Sequence, residues 1–156
     1  MTIKSIQGDM FEVGISGDYQ FILIFGHMGF NELGAHWNNF KDGNRNFKNI
    51  GNPFDTLRAP TKFDEKWIQF IAAQENHGME DSTLEQKFRE TFEWMEVHGL
   101  KKIITNGIMD TNHSTNTIEN QENDDTRVKF IETICSQHPK LDITLISLNK
   151  VYLRNE

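Results

Sequence analysis

The chain has 156 residues, and its net charge of −7, from 16 Lys and Arg against 23 Asp and Glu, argues against direct nucleic-acid binding, which needs a basic face. The single cysteine, Cys135, excludes an intrachain disulfide and a cysteine-rich zinc site. With no membrane-length apolar run and no apolar signal at its start, the sequence predicts one cytoplasmic domain over residues 1–156, without membrane contact.

Two strands are predicted in the first part of the chain. Thr2–Ile6 alternates polar and apolar residues, as a short strand does, and a Gly-Asp turn follows at positions 8 and 9. Residues 11–13 either extend this strand or begin another. Tyr19–Phe25 is a nearly continuous apolar run, typical of a strand buried on both faces of a parallel sheet. A glycine-punctuated loop, residues 26–35, comes next.

The middle of the chain gives weaker signals. Residues 38–61 are rich in Asn, Asp, Gly and Lys, which indicates irregular structure with at most one short helix. Trp67–Ala73 is the next candidate for a buried strand. A polar segment over 74–81 contains Gly78 and is interpreted as a loop.

A helix is predicted from Ser82 to Gly99. Ser82 and Glu85 form a capping-box pattern, and Gly99 has the position of a left-handed cap. Between them, apolar residues recur at helical spacing: Leu84, Phe88, Phe92 and Met95. A strand over Leu100–Thr105 follows and leads into Asn106-Gly107.

The last third predicts a loop, a helix and a strand. Residues 109–125 are polar throughout, which we interpret as a long mobile loop with a solvated acidic tract. Asp124 or Asp125 caps a helix over 126–136, and Pro139 ends it. Cys135 lies on the apolar face of this helix, where we expect a buried, inert thiol. Asp142–Leu148 is the final strand.

The order of these elements predicts an α/β fold: a mixed, largely parallel sheet with helices on both faces, in three layers. Nine residues are expected to be nearly inaccessible: Ile22, Ile24, Phe70, Leu84, Phe88, Phe92, Ile103, Ile131 and Leu145. Ligands of such sheets bind beyond the carboxyl ends of the strands. Three loops qualify, namely the Gly8-Asp9 turn, residues 26–35 and residues 106–116.

The motifs, in this order, resemble the macro-domain family, which binds ADP-ribose. Ile6-Gln7-Gly8-Asp9-Met10 is similar to the Gly-Asp-Ile signature after that family's opening strand, and residues 26–35 lie where it has a glycine-rich ligand loop. The strand at 67–75, the helix ending at Gly99 and the strand entry at 99–104 also match, as do the segments 126–136 and 142–148. The resemblance covers most of the chain.

The resemblance implies a ligand site for ADP-ribose or a related adenine nucleotide. It gives Asp9 the role of accepting a hydrogen bond from the adenine amino group. The implied ligand-binding residues are Asp9, Met10, Gly26, His27, Gly29, Asn31, Gly34, Ala35, Asn106, Gly107, Ile108 and Asn112. The chain departs from the family at two points, because no Asn directly follows the buried strand and the loop after Ile104 has a single glycine.

The residues themselves leave alternatives open at each position. Asp9 also fits a plain turn, and the three glycines of residues 26–35 also fit a tight surface turn. Glycines after a buried strand let backbone N–H groups approach a phosphate closely. His27, with an ordinary pKa near 6.5, is a candidate general acid or base. The histidines lack metal-ligand spacing, so we expect no metal, and no cofactor is implied.

Two functions from different classes remain. The first is a nucleotide binder that also hydrolyses an ADP-ribosyl bond if His27, Asn31 or Asp110 positions a water. The second is a catalytically silent interaction or inhibitor protein that keeps the fold and docks on a basic protein partner. The glycine loop favours the first function, and the acidic charge favours the second.

Overall fold

The computed structural model describes residues 2–26, 57–63, 65–72, 81–106 and 118–147. In chain order the elements are β1 (Thr2–Gln7), α1 (Met10–Ser16), β2 (Phe21–Gly26), β3 (Thr61–Phe63), β4 (Lys66–Ala72), α2 (Asp81–Val97), β5 (Lys102–Thr105), α3 (Ile118–Cys135) and β6 (Asp142–Ser147). None of the helices in these ranges has the length and apolar character needed to cross a bilayer.

The six strands form one sheet in the order β1-β6-β5-β2-β4-β3. Every neighbouring pair is parallel except β3 and β4, which are antiparallel. The predicted mixed, largely parallel sheet is therefore confirmed, and the strands predicted within 19–25, 67–73, 100–105 and 142–148 each supply one of its strands. Five parallel strands place their carboxyl ends at one edge, which we call the carboxyl edge, and their starts at the opposite amino edge.

Two hydrophobic clusters pack against this sheet, because successive side chains of a strand point to opposite faces. Ile22 and Ile24 of β2 belong to the cluster that contains Met10 and Phe11 of α1. The alternate residues Phe21, Leu23 and Phe25 belong to the cluster that receives the apolar faces of α2 and α3. All nine predicted core residues are at most 1% exposed, which confirms the predicted helix and strand faces.

Residues 11–13 are helical, and the prediction that they form a strand was wrong. Asp9 adopts an extended conformation and accepts the first free backbone N–H groups of α1, so it starts a helix. Gly14 lets this helix approach the sheet closely, since a Cβ there would lie 3.2 Å from Ile22 Cδ1. A helix of 7 residues is too short to display its period in the sequence.

The helix α3 begins at Ile118, eight residues before the predicted start at Thr126, so residues 118–125 do not belong to a loop. The reason is local. Glu and Gln are good helix formers, and Glu119 lies in the first turn, where the macrodipole favours negative charge. Residues 118–125 carry no apolar stripe, so hydrophobic periodicity could not indicate this part of the helix.

Smaller differences concern α2 and β3. The helix α2 begins at Asp81, one residue before the predicted cap, Ser82. The Oε1 atom of Glu85 accepts a hydrogen bond from Arg89 Nε at 3.0 Å. Gly99 ends this helix with a φ of 70°, which confirms the predicted left-handed cap. The three-residue strand β3 was not predicted, because so short a segment carries no readable alternation.

Candidate functional site

The strands β2 and β5 are parallel neighbours, but the strands that follow them in the chain lie on opposite sides of this pair. Among the described strands, β3 and β4 follow β2 in the chain and lie on one side of it. On leaving β5, the chain passes through α3 to β6, on the other side. A crevice forms at the carboxyl edge where neighbouring strands send their connections in opposite directions. In the described part of the chain, this reversal marks the candidate site.

The structure brings the starts of two predicted ligand loops together at this crevice. Gly26 is the last residue of β2, and Asn106 directly follows β5. The two strands pair in parallel from Phe21↔Ile103 to Leu23↔Thr105. The remaining predicted residues of the two loops lie outside the described residues: His27, Gly29, Asn31, Gly34, Ala35, Gly107, Ile108, Asp110 and Asn112.

The side chain of Asn106 joins the two strand ends. Its Oδ1 accepts a hydrogen bond from Phe25 N at 2.8 Å, and its Nδ2 donates to Phe25 O at 2.7 Å. Asn106 is 3% exposed, so both bonds are shielded from water. Both ends of the amide are thus bonded to protein backbone, which was not expected from the sequence.

Asp9 lies at the same edge, beyond the end of β1. Its Oδ1 accepts from Phe11 N at 2.9 Å and from Glu12 N at 3.4 Å. Strands in a sheet are about 4.8 Å apart, and β1 is three positions from β2, so roughly 14 Å separates their ends. A ligand that contacts both Asp9 and the crevice must therefore be extended.

Met10, the other predicted ligand residue at this turn, is 4% exposed and belongs to the core beneath α1. Its side chain packs with Phe11 and Ile22, which is the environment of a structural residue. Of the predicted site, the structure therefore describes Asp9, Met10, Asn106 and the backbone of Gly26.

A small cavity of about 140 Å³ lies at the amino edge, where no sequence pattern indicated a site. Its charged lining residues are Lys4, Asp18, Lys102 and Asp142, two of each sign. A hydrogen bond to Lys102 lowers the pKa of Asp18, and the same contact raises the pKa of Lys102. Because these charges compensate one another, the cavity has no net preference for an anion or a cation.

Neither a metal centre nor a thiol nucleophile emerges from the described ranges. No group of three or more His, Cys, Asp or Glu side chains there could hold a metal ion. Cys135 is buried, as its position on the apolar face predicted, and burial raises the pKa of its thiol to about 12. The thiol is therefore protonated and unreactive at neutral pH.

In comparisons with known proteins, no family model and no curated protein matches this chain. The features that indicate a function are therefore the geometry of the carboxyl edge and the sequence of the loops that leave it.

Proposed function

We propose that this chain is a macro-like domain, a three-layer α/β/α sandwich, that binds ADP-ribose or a related adenine nucleotide at the carboxyl edge. One observation carries the proposal. The glycine-rich segment that starts at Gly26 and the segment that starts at Asn106 leave adjacent parallel strands at the point of reversal. This is where ligands of parallel α/β sheets bind.

The spacing of the edge also supports an extended nucleotide. In this proposal Asp9 accepts a hydrogen bond from the adenine amino group, and backbone N–H groups of residues 26–35 bind the diphosphate. The two positions are about 14 Å apart, which is three strand positions along the sheet. A carboxylate offers about four acceptor positions, so capping α1 through Oδ1 is compatible with a further bond to the base.

Hydrolysis of an ADP-ribosyl bond is the catalytic extension of this proposal. His27, Asn31 and Asp110 are its candidate residues for positioning a water, by their place in the two loops. Release of free ADP-ribose from an ADP-ribosylated protein is the measurement. If the unmodified protein releases ADP-ribose and His27→Ala or Asp110→Ala does not, the result supports catalysis. If the unmodified protein releases none, the proposal is reduced to binding without hydrolysis.

The experiment that tests binding is calorimetry with ADP-ribose, ADP, AMP and NAD. The informative variant is Asp9→Ser, because serine also caps a helix but removes the carboxylate. We expect the affinity for ADP-ribose to fall about ten- to hundred-fold, as for the loss of a charge-assisted hydrogen bond. Asp18→Ser, at the amino edge, is the matched control and should leave the affinity unchanged.

Failure of the unmodified protein to bind any of these nucleotides at millimolar concentration contradicts the proposal. The second candidate then takes its place: an acidic protein that docks on a basic partner. The observation in its favour is the segment Glu119–Asp125, whose four acidic residues share the first half of α3 in a chain of net charge −7. Binding that weakens steeply with added salt would identify it.

A further inference from the structure

The strand β2 extends further toward the carboxyl edge than its neighbour β5. Backbone pairing with β5 ends at Leu23↔Thr105, whereas pairing with β4 continues to Gly26↔Ala72. Phe25 therefore lies beyond the last paired residue of β5. A buried backbone N–H or C=O left without a partner would be costly there.

Asn106 supplies the partner that β5 itself does not. A side-chain amide carries one C=O and one N–H group in the same arrangement as a peptide unit. Here it accepts from Phe25 N and donates to Phe25 O, so it takes the place of one further step of backbone pairing. The two strands stay joined at Phe25 without a backbone bond from β5.

We infer that Asn106 is a positioning residue: its amide fixes the separation of the two strand ends from which both ligand loops start. This inference rests on the proposed function, since it assigns Asn106 to holding the crevice in shape rather than to contacting the nucleotide. Without the amide, the ends of β2 and β5 separate, and the two loops no longer present one site.

The chain contains a matched control at the other end of the same two strands. Gln20, before β2, accepts hydrogen bonds through Oε1 from Lys101 N at 2.7 Å and Lys102 N at 3.1 Å. It is also a side-chain amide that joins β2 to β5, but it lies at the amino edge. A purely structural role for Asn106 predicts that Gln20 variants and Asn106 variants affect ligand affinity alike.

Two substitutions of Asn106 separate its two bonds. Asn106→Leu removes both bonds and keeps the branched shape and the number of side-chain heavy atoms. Asn106→Asp keeps an acceptor for Phe25 N and turns an oxygen toward Phe25 O, where a donor is required. If Asn106→Leu fails to fold, Asn106→Asp provides the same test, with Gln20→Glu as its matched control. Gln20→Glu keeps the acceptor oxygen that Gln20 uses, whereas Asn106→Asp loses the donor that Asn106 uses.

The experiment combines calorimetry with ADP-ribose and amide hydrogen exchange followed by NMR. In both Asn106 variants we expect the Phe25 amide to exchange at least about ten-fold faster, and the affinity to fall about ten-fold, as for one lost hydrogen bond. In Gln20→Leu we expect a lower melting temperature and an unchanged exchange rate of the Phe25 amide. The affinity for ADP-ribose should stay within about two-fold of the parent, a smaller change than the loss of one hydrogen bond would cause.

Unchanged ADP-ribose affinity in a folded Asn106 variant overturns the inference, as does an equal loss of affinity in Gln20→Leu. If the parent protein binds no adenine nucleotide, the proposed function fails, and the exchange data alone decide the role of Asn106. A Phe25 amide that stays protected in Asn106→Leu then overturns the inference, and one that loses protection supports it.

Discussion

The seam between β2 and β5 is held differently at its two ends. At the amino edge, Gln20 accepts from the backbone of Lys101 and Lys102, and Lys102 Nζ donates to Asp18 Oδ2. On the other side of β2, Lys66 Nζ of β4 donates to Gly17 O and Tyr19 O. At the carboxyl edge, the one amide of Asn106 makes both bonds. The contacts at the amino edge are partly exposed to water, whereas the two bonds of Asn106, which are those that the described residues show at the carboxyl edge, are buried.

This difference determines how each end responds to a substitution. Partly exposed contacts exchange readily with water, so each contributes little and its loss is tolerated. A buried amide whose partners have no access to water leaves those partners unsatisfied when it is removed. We therefore expect single substitutions to have larger effects at the carboxyl edge, where the candidate site lies.

The largest expected effect comes from the core beneath the carboxyl edge. The rings of Phe25 and Phe88 lie 5.4 Å apart, and Phe88 is fully buried. Phe88→Ala should lower the free energy of unfolding by about 3–5 kcal/mol, measured by urea denaturation. Val97→Ala, on the same helix but 82% exposed, should change it by less than about 0.5 kcal/mol. If both substitutions lowered the free energy of unfolding equally, the face of α2 that carries Phe88 would not be the one packed against the sheet.

The second prediction compares the two amides directly. Asn106→Leu leaves a buried N–H and a buried C=O of Phe25 unpaired and should lower the free energy of unfolding by about 2–4 kcal/mol. Gln20→Leu should lower it by about 1 kcal/mol, because water reaches its partners. Urea denaturation of both variants gives the comparison. A larger loss in Gln20→Leu would reverse the proposed difference between the edges.

The third prediction concerns Lys66. Burial lowers the pKa of its ammonium group, which shows that desolvation opposes the two bonds to Gly17 O and Tyr19 O. Because these effects offset each other, Lys66→Met should lower the free energy of unfolding by only about 1 kcal/mol. Thermal denaturation measures it, with Lys140→Met, at an exposed position outside the sheet, as the control. A loss equal to that in Asn106→Leu would show that the amino edge is not held redundantly.

The smallest effect is expected at the exposed Asp18–Lys102 pair. Since Lys102 lowers the pKa of Asp18 in the folded chain, the pair stabilises the fold above the ordinary pKa of 3.8, and this contribution disappears as the pH falls through the folded value. The parent and Asp18→Asn should thus differ slightly in melting temperature at pH 6 and converge at the most acidic pH. A gap that widens on acidification, or that persists unchanged in 1 M salt, a concentration that screens exposed pairs, would contradict this account.

Much of the sheet was predictable because long apolar runs indicate buried parallel strands. Tyr19–Phe25 and Trp67–Ala73 both gave strands within two residues of their observed bounds. The helix α1 and the first half of α3 were not predictable from periodicity. The first is too short to show its period, and the second has charge and helix propensity but no apolar stripe.

The placement of Gly26 and Asn106 at one end of the sheet was predictable, but the hydrogen bonds of Asn106 and Asp9 were not. Strand order placed Gly26 and Asn106 at one edge, because parallel strands end together. The partner of Asn106, Phe25, is 81 residues away in sequence, so no local pattern could show that its amide serves the backbone. For Asp9, capping was readable only once residues 10–16 were known to be helical.

The strand β3 has a consequence for how copies of the chain meet in solution. An edge strand with free backbone groups can recruit a strand from another molecule and begin aggregation. Thr61–Phe63 is three residues long, runs against its neighbour, follows Pro60, which has no N–H to offer, and carries the exposed Lys62. The shortness of β3, Pro60 and the exposed Lys62 make this strand a poor template, so the part of β4 that pairs with it, residues 66–68, is shielded from joining another molecule's sheet at high concentration.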